Sequence, residues 1–220
     1  MPDASIRAVV FDLDGLLIQT EEVWDDVREA YIRERGGRYD AEAQRAMMGM
    51  SSVEWSRFIH DDLGVADEPQ AISDEVVRRM AARYHERLPL IDGAVDAVER
   101  VAAAFPLAVA SSSNRPLIDL VLELSGLGRH FAATVSSEEV ARGKPAPDVY
   151  LEAARRLGVA PEACGAVEDS HSGIRSARAA GMFVVAIPNA TYPPGDEALG
   201  EAHVVLPSVR DLTAAVFTDP

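Results

Sequence analysis

Four short runs of this chain hold residues whose types and spacing could do chemistry. In Phe11-Asp12-Leu13-Asp14-Gly15 two acids stand two residues apart at the end of an apolar run, where extended backbone aims both carboxylates to one side. A carboxylate can attack phosphorus to form an acyl phosphate, while a second in reach protonates the leaving alcohol and later activates water. In Ala166-Val167-Glu168-Asp169-Ser170 two adjacent acids again end an apolar run. They repel one another unless a cation lies between them, and an oxygen-only set suits Mg²⁺.

The other two runs could hold an anion. Val109-Ala110-Ser111-Ser112-Ser113-Asn114-Arg115-Pro116 couples an apolar strand to hydroxyls and then to a helix start. Free backbone N–H groups there can bind an anion, with the Ser111 and Ser112 hydroxyls beside them. Ser113 and Asn114 are read as helix caps. In Arg142-Gly143-Lys144-Pro145-Ala146-Pro147-Asp148 the flanking Gly and Pro residues restrict the backbone and fix where Lys144 points, making it a counter-charge for phosphate.

Something must carry these four runs to one place. Short apolar segments at residues 6–11, 107–110, 164–167, 183–187 and 203–206 predict buried strands, and helical spacing at 115–124, 147–157 and 173–180 places helices between them. Alternating strand and helix predicts an α/β fold, a Rossmann-like parallel sheet flanked by helices, with ligands beyond the strand ends. The long gap between the first two strands exceeds a simple crossover. It reads as helical at 23–35 and 74–87, with turns at Gly36-Gly37 and Gly49, so a helical cap domain inserted into the core is expected.

Composition excludes several classes. With 220 residues, 48% hydrophobic and 26% charged, the chain is long enough for a full core and is neither disordered nor a disulfide scaffold. A formal net charge of -15 opposes nucleic acid and anionic membranes. Cys164 is the only cysteine, read as a small buried hydrophobe, and with no cationic leader a cytoplasmic location is expected. None of the five histidines has metal-ligand spacing, and none is assigned a catalytic role. The apolar tail through Leu212, Val216 and Phe217 is expected to pack on the core or on a second subunit, with a monomer as the default.

Taken together, Asp12-Leu13-Asp14-Gly15, Ser111, Lys144-Pro145 and Glu168-Asp169 resemble the four motifs of the haloacid dehalogenase-like hydrolase superfamily. Gly143-Lys144-Pro145-Ala146-Pro147-Asp148 and Glu168-Asp169-Ser170 with Gly173 are similar to the branch of β-phosphoglucomutase and the sugar-phosphate phosphatases. The resemblance implies a core over residues 1–17 and 89–220 and a cap over 18–88. It makes Asp12 the nucleophile and Asp14 the general acid/base, with Ser111, Ser112 and Lys144 binding phosphate. Mg²⁺ would be held by Asp12, the Asp14 carbonyl and Asp169, with Glu168 at or just behind it. The second aspartate separates this chain from the dehalogenase branch.

The cap decides between hydrolysis and isomerisation. The mutases carry a histidine where this chain has Trp24, and several hexose and hexitol phosphatases have tryptophan there. Trp24 and Gln19 are therefore candidate specificity residues, Gln19 standing where many relatives have aspartate. The mutases also place an arginine shortly after the cap glycine, where this chain reads Gly49-Met50-Ser51-Ser52, which implies that no second phosphate is gripped there. Glu54, Trp55 and Arg57 are read as helix surface, with a substrate-facing placement as the alternative. The expected activity is hydrolysis of a small phosphomonoester, a sugar or polyol phosphate, through an aspartyl-phosphate. A β-phosphoglucomutase-like mutase and a non-catalytic phospho-ligand binder are the alternatives.

Overall fold

The apolar runs pair side by side in the computed structural model, which describes residues 5–47, 50–189 and 191–218. Strands β1 (Ala8–Phe11), β2 (Leu107–Ser111), β3 (Phe131–Ser136), β4 (Cys164–Glu168), β5 (Phe183–Ala186) and β6 (Val204–Val205) form one sheet in the order β3-β2-β1-β4-β5-β6. Every pairing is parallel. The expected α/β Rossmann-like sheet is present.

Strand periodicity divides the core. Val9, Phe11, Leu107, Val109, Val167 and Val185 face one side, while Ala8, Val10, Ala108, Ala110, Ala166, Val184 and Ala186 face the other. A strand buried on both faces must read as continuous apolar sequence, which is why the inner strands were legible. Strand β3 was not. Its Phe-Ala-Ala-Thr-Val-Ser sequence lies at the sheet edge, buried only at Val135 and Ser136, so it lacks that run.

Between β1 and β2, ahead of α5 (Ala94–Ala102), the described residues form a helical region of α1 (Glu21–Glu34), α2 (Ala41–Met47), α3 (Ser52–Asp61) and α4 (Pro69–Glu86). The turn expected at Gly49 falls outside the described residues. The chain enters and leaves this helical region side by side, Gln19 N–H donating to the Pro89 carbonyl at 2.8 Å and Ile91 N–H to the Leu17 carbonyl at 2.9 Å. Helices α5 (Ala94–Ala102), α6 (Arg115–Ser125), α7 (Asp148–Leu157) and α8 (His171–Ala179) cover the sheet, followed by the short α9 (Asp196–Leu199) and α10 (Ala215–Thr218). The tail packs on the core, with Phe217 buried edge-on to Phe105 and Phe183. Cys164 is free and buried, as expected. Among the described residues no helix is long and apolar enough to cross a membrane.

Trp55, expected on a helix surface, is instead almost fully buried against Trp24, their ring centroids 6.1 Å apart. The indole is the largest apolar surface on α3, and packing α3 on α4, with Trp55 turned against Trp24 of α1, removes it from water. Arg57 is exposed, and exposed Glu54 closes a capping box with Ser51.

Candidate active site

Parallel strands point the same way, so the ends of β1, β2 and β4 carry their polar residues to one edge. The strand order reverses between β1 and β4, and a crevice opens at such a switch point. A cleft of about 580 Å³ lies there, walled by Asp12, Asp14, Ser112, Lys144, Asp169 and Tyr192 among others.

Lys144 crosses the floor of the cleft. Its Nζ donates to Asp12 Oδ1 at 2.7 Å and to Glu168 Oε1 at 2.6 Å, with all three side chains buried. Glu168 has both oxygens engaged. Oε1 also accepts from the Tyr150 hydroxyl at 2.6 Å, and Oε2 accepts from the Asp169 amide at 3.1 Å and the Ser170 hydroxyl at 3.1 Å. Gly173 makes room for it, since a Cβ there would lie 1.9 Å from the carboxylate carbon. Glu168 therefore holds Lys144 from behind.

Asp12, Glu168 and Asp169 each offer an oxygen within 4.8 Å of the others. One ammonium faces three buried carboxylates, so negative charge is in excess. Burial pushes the Asp12 carboxyl up to about 8, Lys144 opposing and Glu168 and Asp14 adding to the rise. Burial also raises Asp169 well above the usual carboxylate range, helped by Asp12 and Glu168. Burial works against the charged form of Lys144, but Asp12 and Glu168 outweigh it and hold the ammonium above its ordinary value. Among the described residues Asp169 Oδ1 is buried without a hydrogen-bond partner, and its Oδ2 packs on Gly15, where a Cβ would sit 2.0 Å away. An orphaned carboxylate oxygen, surplus negative charge and an all-oxygen donor set fit a hard divalent cation.

Asp14 is held separately. Thr20 Oγ1 donates to its Oδ1 at 2.7 Å, while Ser113 Oγ and Ser111 Oγ donate to its Oδ2 at 2.7 and 3.2 Å. Ser112 lines the cleft, whereas the fully buried Ser111 accepts from the Ser113 amide at 2.9 Å. The capping expectation for Ser113 and Asn114 is corrected here. Ser113 is turned onto Asp14, and Asn114, although at the N-cap of α6, caps nothing with its side chain. Glu138 takes that place, accepting from the Arg115 amide at 3.0 Å and from Asn114 Nδ2 at 2.7 Å. Its negative charge at the helix N-terminus suits the dipole better than a neutral amide.

The two candidate specificity residues sit apart from the cleft floor. Trp24 lines a smaller cavity beside Asp14. Gln19 is half-buried, its Oε1 accepting from Asn189 Nδ2 at 3.4 Å. Sequence reasoning missed Tyr150, Thr20, Asn189 and Tyr192. The last two follow β5, and the strand-end rule that singled out the other runs would have reached them. Tyr150 and Thr20 carried no such signal. His171 lines the cleft rim and is exposed.

Comparison with known proteins agrees with this geometry. The sequence model of a family described as haloacid dehalogenase-like hydrolase matches residues 6–181. The chain is 36% identical over 185 residues to the fructose-1-phosphate phosphatase YqaB of Escherichia coli, covering 80% of this chain and 94% of that protein. It is 31% identical over 206 residues to a bifunctional riboflavin kinase/FMN phosphatase of Arabidopsis thaliana, covering 93% of this chain but only 54% of that longer protein. Among solved structures, CbbY from Rhodobacter sphaeroides in complex with phosphate superposes with a TM-score of 0.86 at 27% identity, covering 98% of this chain and 100% of that one.

Proposed function

The chain belongs to the haloacid dehalogenase-like hydrolases, in the branch of the sugar-phosphate phosphatases, and on that premise we propose that it is a Mg²⁺-dependent phosphatase of a small sugar or polyol phosphomonoester, working through an aspartyl-phosphate. The observation that carries this reading is the buried cluster of Asp12, Lys144, Glu168 and Asp169 at the switch point, with Asp14 held beside it.

Asp12 attacks phosphorus through its carboxylate oxygen and the bond from phosphorus to the alcohol oxygen breaks. Asp14 gives its proton to that leaving oxygen, then takes one from the water that attacks the aspartyl-phosphate, releasing inorganic phosphate and regenerating Asp12. The hydroxyls of Thr20, Ser111 and Ser113 keep Asp14 aimed through both steps. Lys144 and Ser112 line the cleft and grip phosphoryl oxygens, with Ser111 next to them; preorganised charge of this kind supplies most of the rate in phosphoryl transfer. Mg²⁺, when bound, neutralises charge shared by nucleophile and phosphate. Asp12, Asp169 and the Asp14 carbonyl would hold it, and Glu168 would act from behind through Lys144.

The helices of residues 18–88 serve as a cap on the core of 1–17 and 89–220. The hydrogen-bonded pair of linkers at Leu17–Gln19 and Pro89–Ile91 supports that division. Trp24 offers no proton to an isomerising sugar, so hydrolysis is favoured over the mutase alternative. The test is phosphate release from p-nitrophenyl phosphate and a panel of sugar and polyol monophosphates, with Mg²⁺ or EDTA. Release that needs Mg²⁺ and falls at least about 1,000-fold in Asp12→Asn is expected. Release insensitive to EDTA, or equal in the variant, would refute the mechanism.

A further inference from the structure

Arg28, on the inner face of α1, is the buried charge that the mechanism does not use. Its residue is only 9% exposed. The guanidinium carbon lies 4.6 Å from the Trp24 ring centroid and 5.0 Å from that of Trp55, so both indoles stack against the cation. Stacking stabilises a guanidinium without satisfying its N–H groups. Among the described residues Nε is buried with no hydrogen-bond partner, and no carboxylate is within ion-pair distance. The acids around it are engaged elsewhere: Asp14 by three hydroxyls and Asp25 by the Tyr39 hydroxyl. Burial lowers Arg28 to about 10, with Glu21 opposing, which leaves it cationic at neutral pH. Burial and Asp14 raise Glu21, the remaining nearby acid, with Arg28 opposing, and among the described residues Glu21 makes no ion pair with Arg28. A buried, charged and unpaired guanidinium is costly unless something pairs with it.

The position of Arg28 says what that partner is. Arg28, Trp24 and Trp55 line a cavity of about 70 Å³ that shares Asp14, Glu21 and Ser112 with the main cleft. Asp14, the group that protonates the leaving oxygen, borders both cavities, so a leaving alcohol at Asp14 has this cavity open to it. We propose that Arg28 binds a second anionic group, a carboxylate or a phosphate, at the far end of the substrate, so that the alcohol released is itself an acid on a short carbon backbone. This deepens the phosphatase reading and rests on it. The planar fork of the guanidinium matches either oxyanion bidentately.

The experiment measures kcat/KM with Mg²⁺ for probes of matched length: glycerol phosphate against phosphoglycerate, and fructose monophosphate against fructose bisphosphate. Wild type is expected to favour at least one anionic-ended member by about 10- to 100-fold, a charge-assisted contact. The pair showing the preference identifies carboxylate or phosphate as the source. Arg28→Met should abolish that ratio and Arg28→Lys should retain part of it; a purely structural role would lower both members alike and leave the ratio unchanged. If Arg28→Met does not fold, the wild-type ratio and Arg28→Lys decide. Equal or reversed wild-type preference, with phosphate still released from p-nitrophenyl phosphate, overturns the role of Arg28 alone. No release from any monoester overturns the phosphatase reading and this inference with it.

Discussion

Replacing Asp12 by asparagine should make the metal-free protein more stable while destroying its activity. The Asp12 carboxyl rises from its ordinary 3.8 to about 8, chiefly because the side chain is buried. A carboxyl whose folded pKa is raised contributes stability that is complete below its unfolded pKa and is lost as pH climbs toward the folded value. The window here is therefore pH 4 to 8. Three pH units between pH 4 and pH 7 correspond to a ceiling of about 4 kcal/mol at roughly 1.4 kcal/mol per unit. Asparagine has no proton to lose and carries no such penalty. In EDTA the two proteins should melt together near pH 4, and by pH 7.5 Asp12→Asn should melt higher by several degrees, at ~2–4 °C per kcal/mol for a chain of this size. Adding Mg²⁺ should reverse the order, because ligation favours the ionised Asp12 that only wild type has. Thermal unfolding across pH 4 to 8, with and without metal, makes the comparison. A variant less stable than wild type in EDTA at pH 7.5, or a difference that does not change with pH, would show that Asp12 is not held against its charge.

Two further substitutions probe the support around the cluster. Gly15→Ala puts a Cβ 2.0 Å from Asp169 Oδ2 at a φ of +80°. The left-handed backbone should cost ~1–2 kcal/mol in denaturant unfolding, and displacement of Asp169 should raise the Mg²⁺ concentration needed for half-maximal activity; an unchanged Mg²⁺ requirement would remove Asp169 from the metal site. Tyr150→Phe deletes a 2.6 Å hydrogen bond to Glu168 while leaving the bond from Lys144. A loss of ~1.5–3 kcal/mol in stability is expected, as for hydrogen bonds to charged groups, with kcat/KM reduced far less than in Asp12→Asn; equal losses of activity would mean that Tyr150 takes part in the chemistry.

The legible part of the site follows from the parallel sheet. Buried inner strands must be apolar throughout, and polar residues at their ends stand out against them, so Asp12, Ser111 and Glu168-Asp169 announced both their chemistry and their shared edge. Lys144 was legible because glycine and prolines fix its backbone. The edge strand Phe131–Ser136 was not legible, since one solvated face removes the apolar run that marks a strand.

What the sequence determined by itself was the set of groups that carry the chemistry and the fold that gathers them, because both are written in local pattern and chain order. What the tertiary structure alone decided was which groups are paired. That Lys144 bridges Asp12 and Glu168, that Tyr150 closes on Glu168 from α7, that Ser113 turns to Asp14 rather than capping α6, and that Arg28 is buried between two indoles depend on distances between segments far apart in the chain. A charge's worth is set by its burial and its nearest partner, and neither is a property of the residue's place in the sequence.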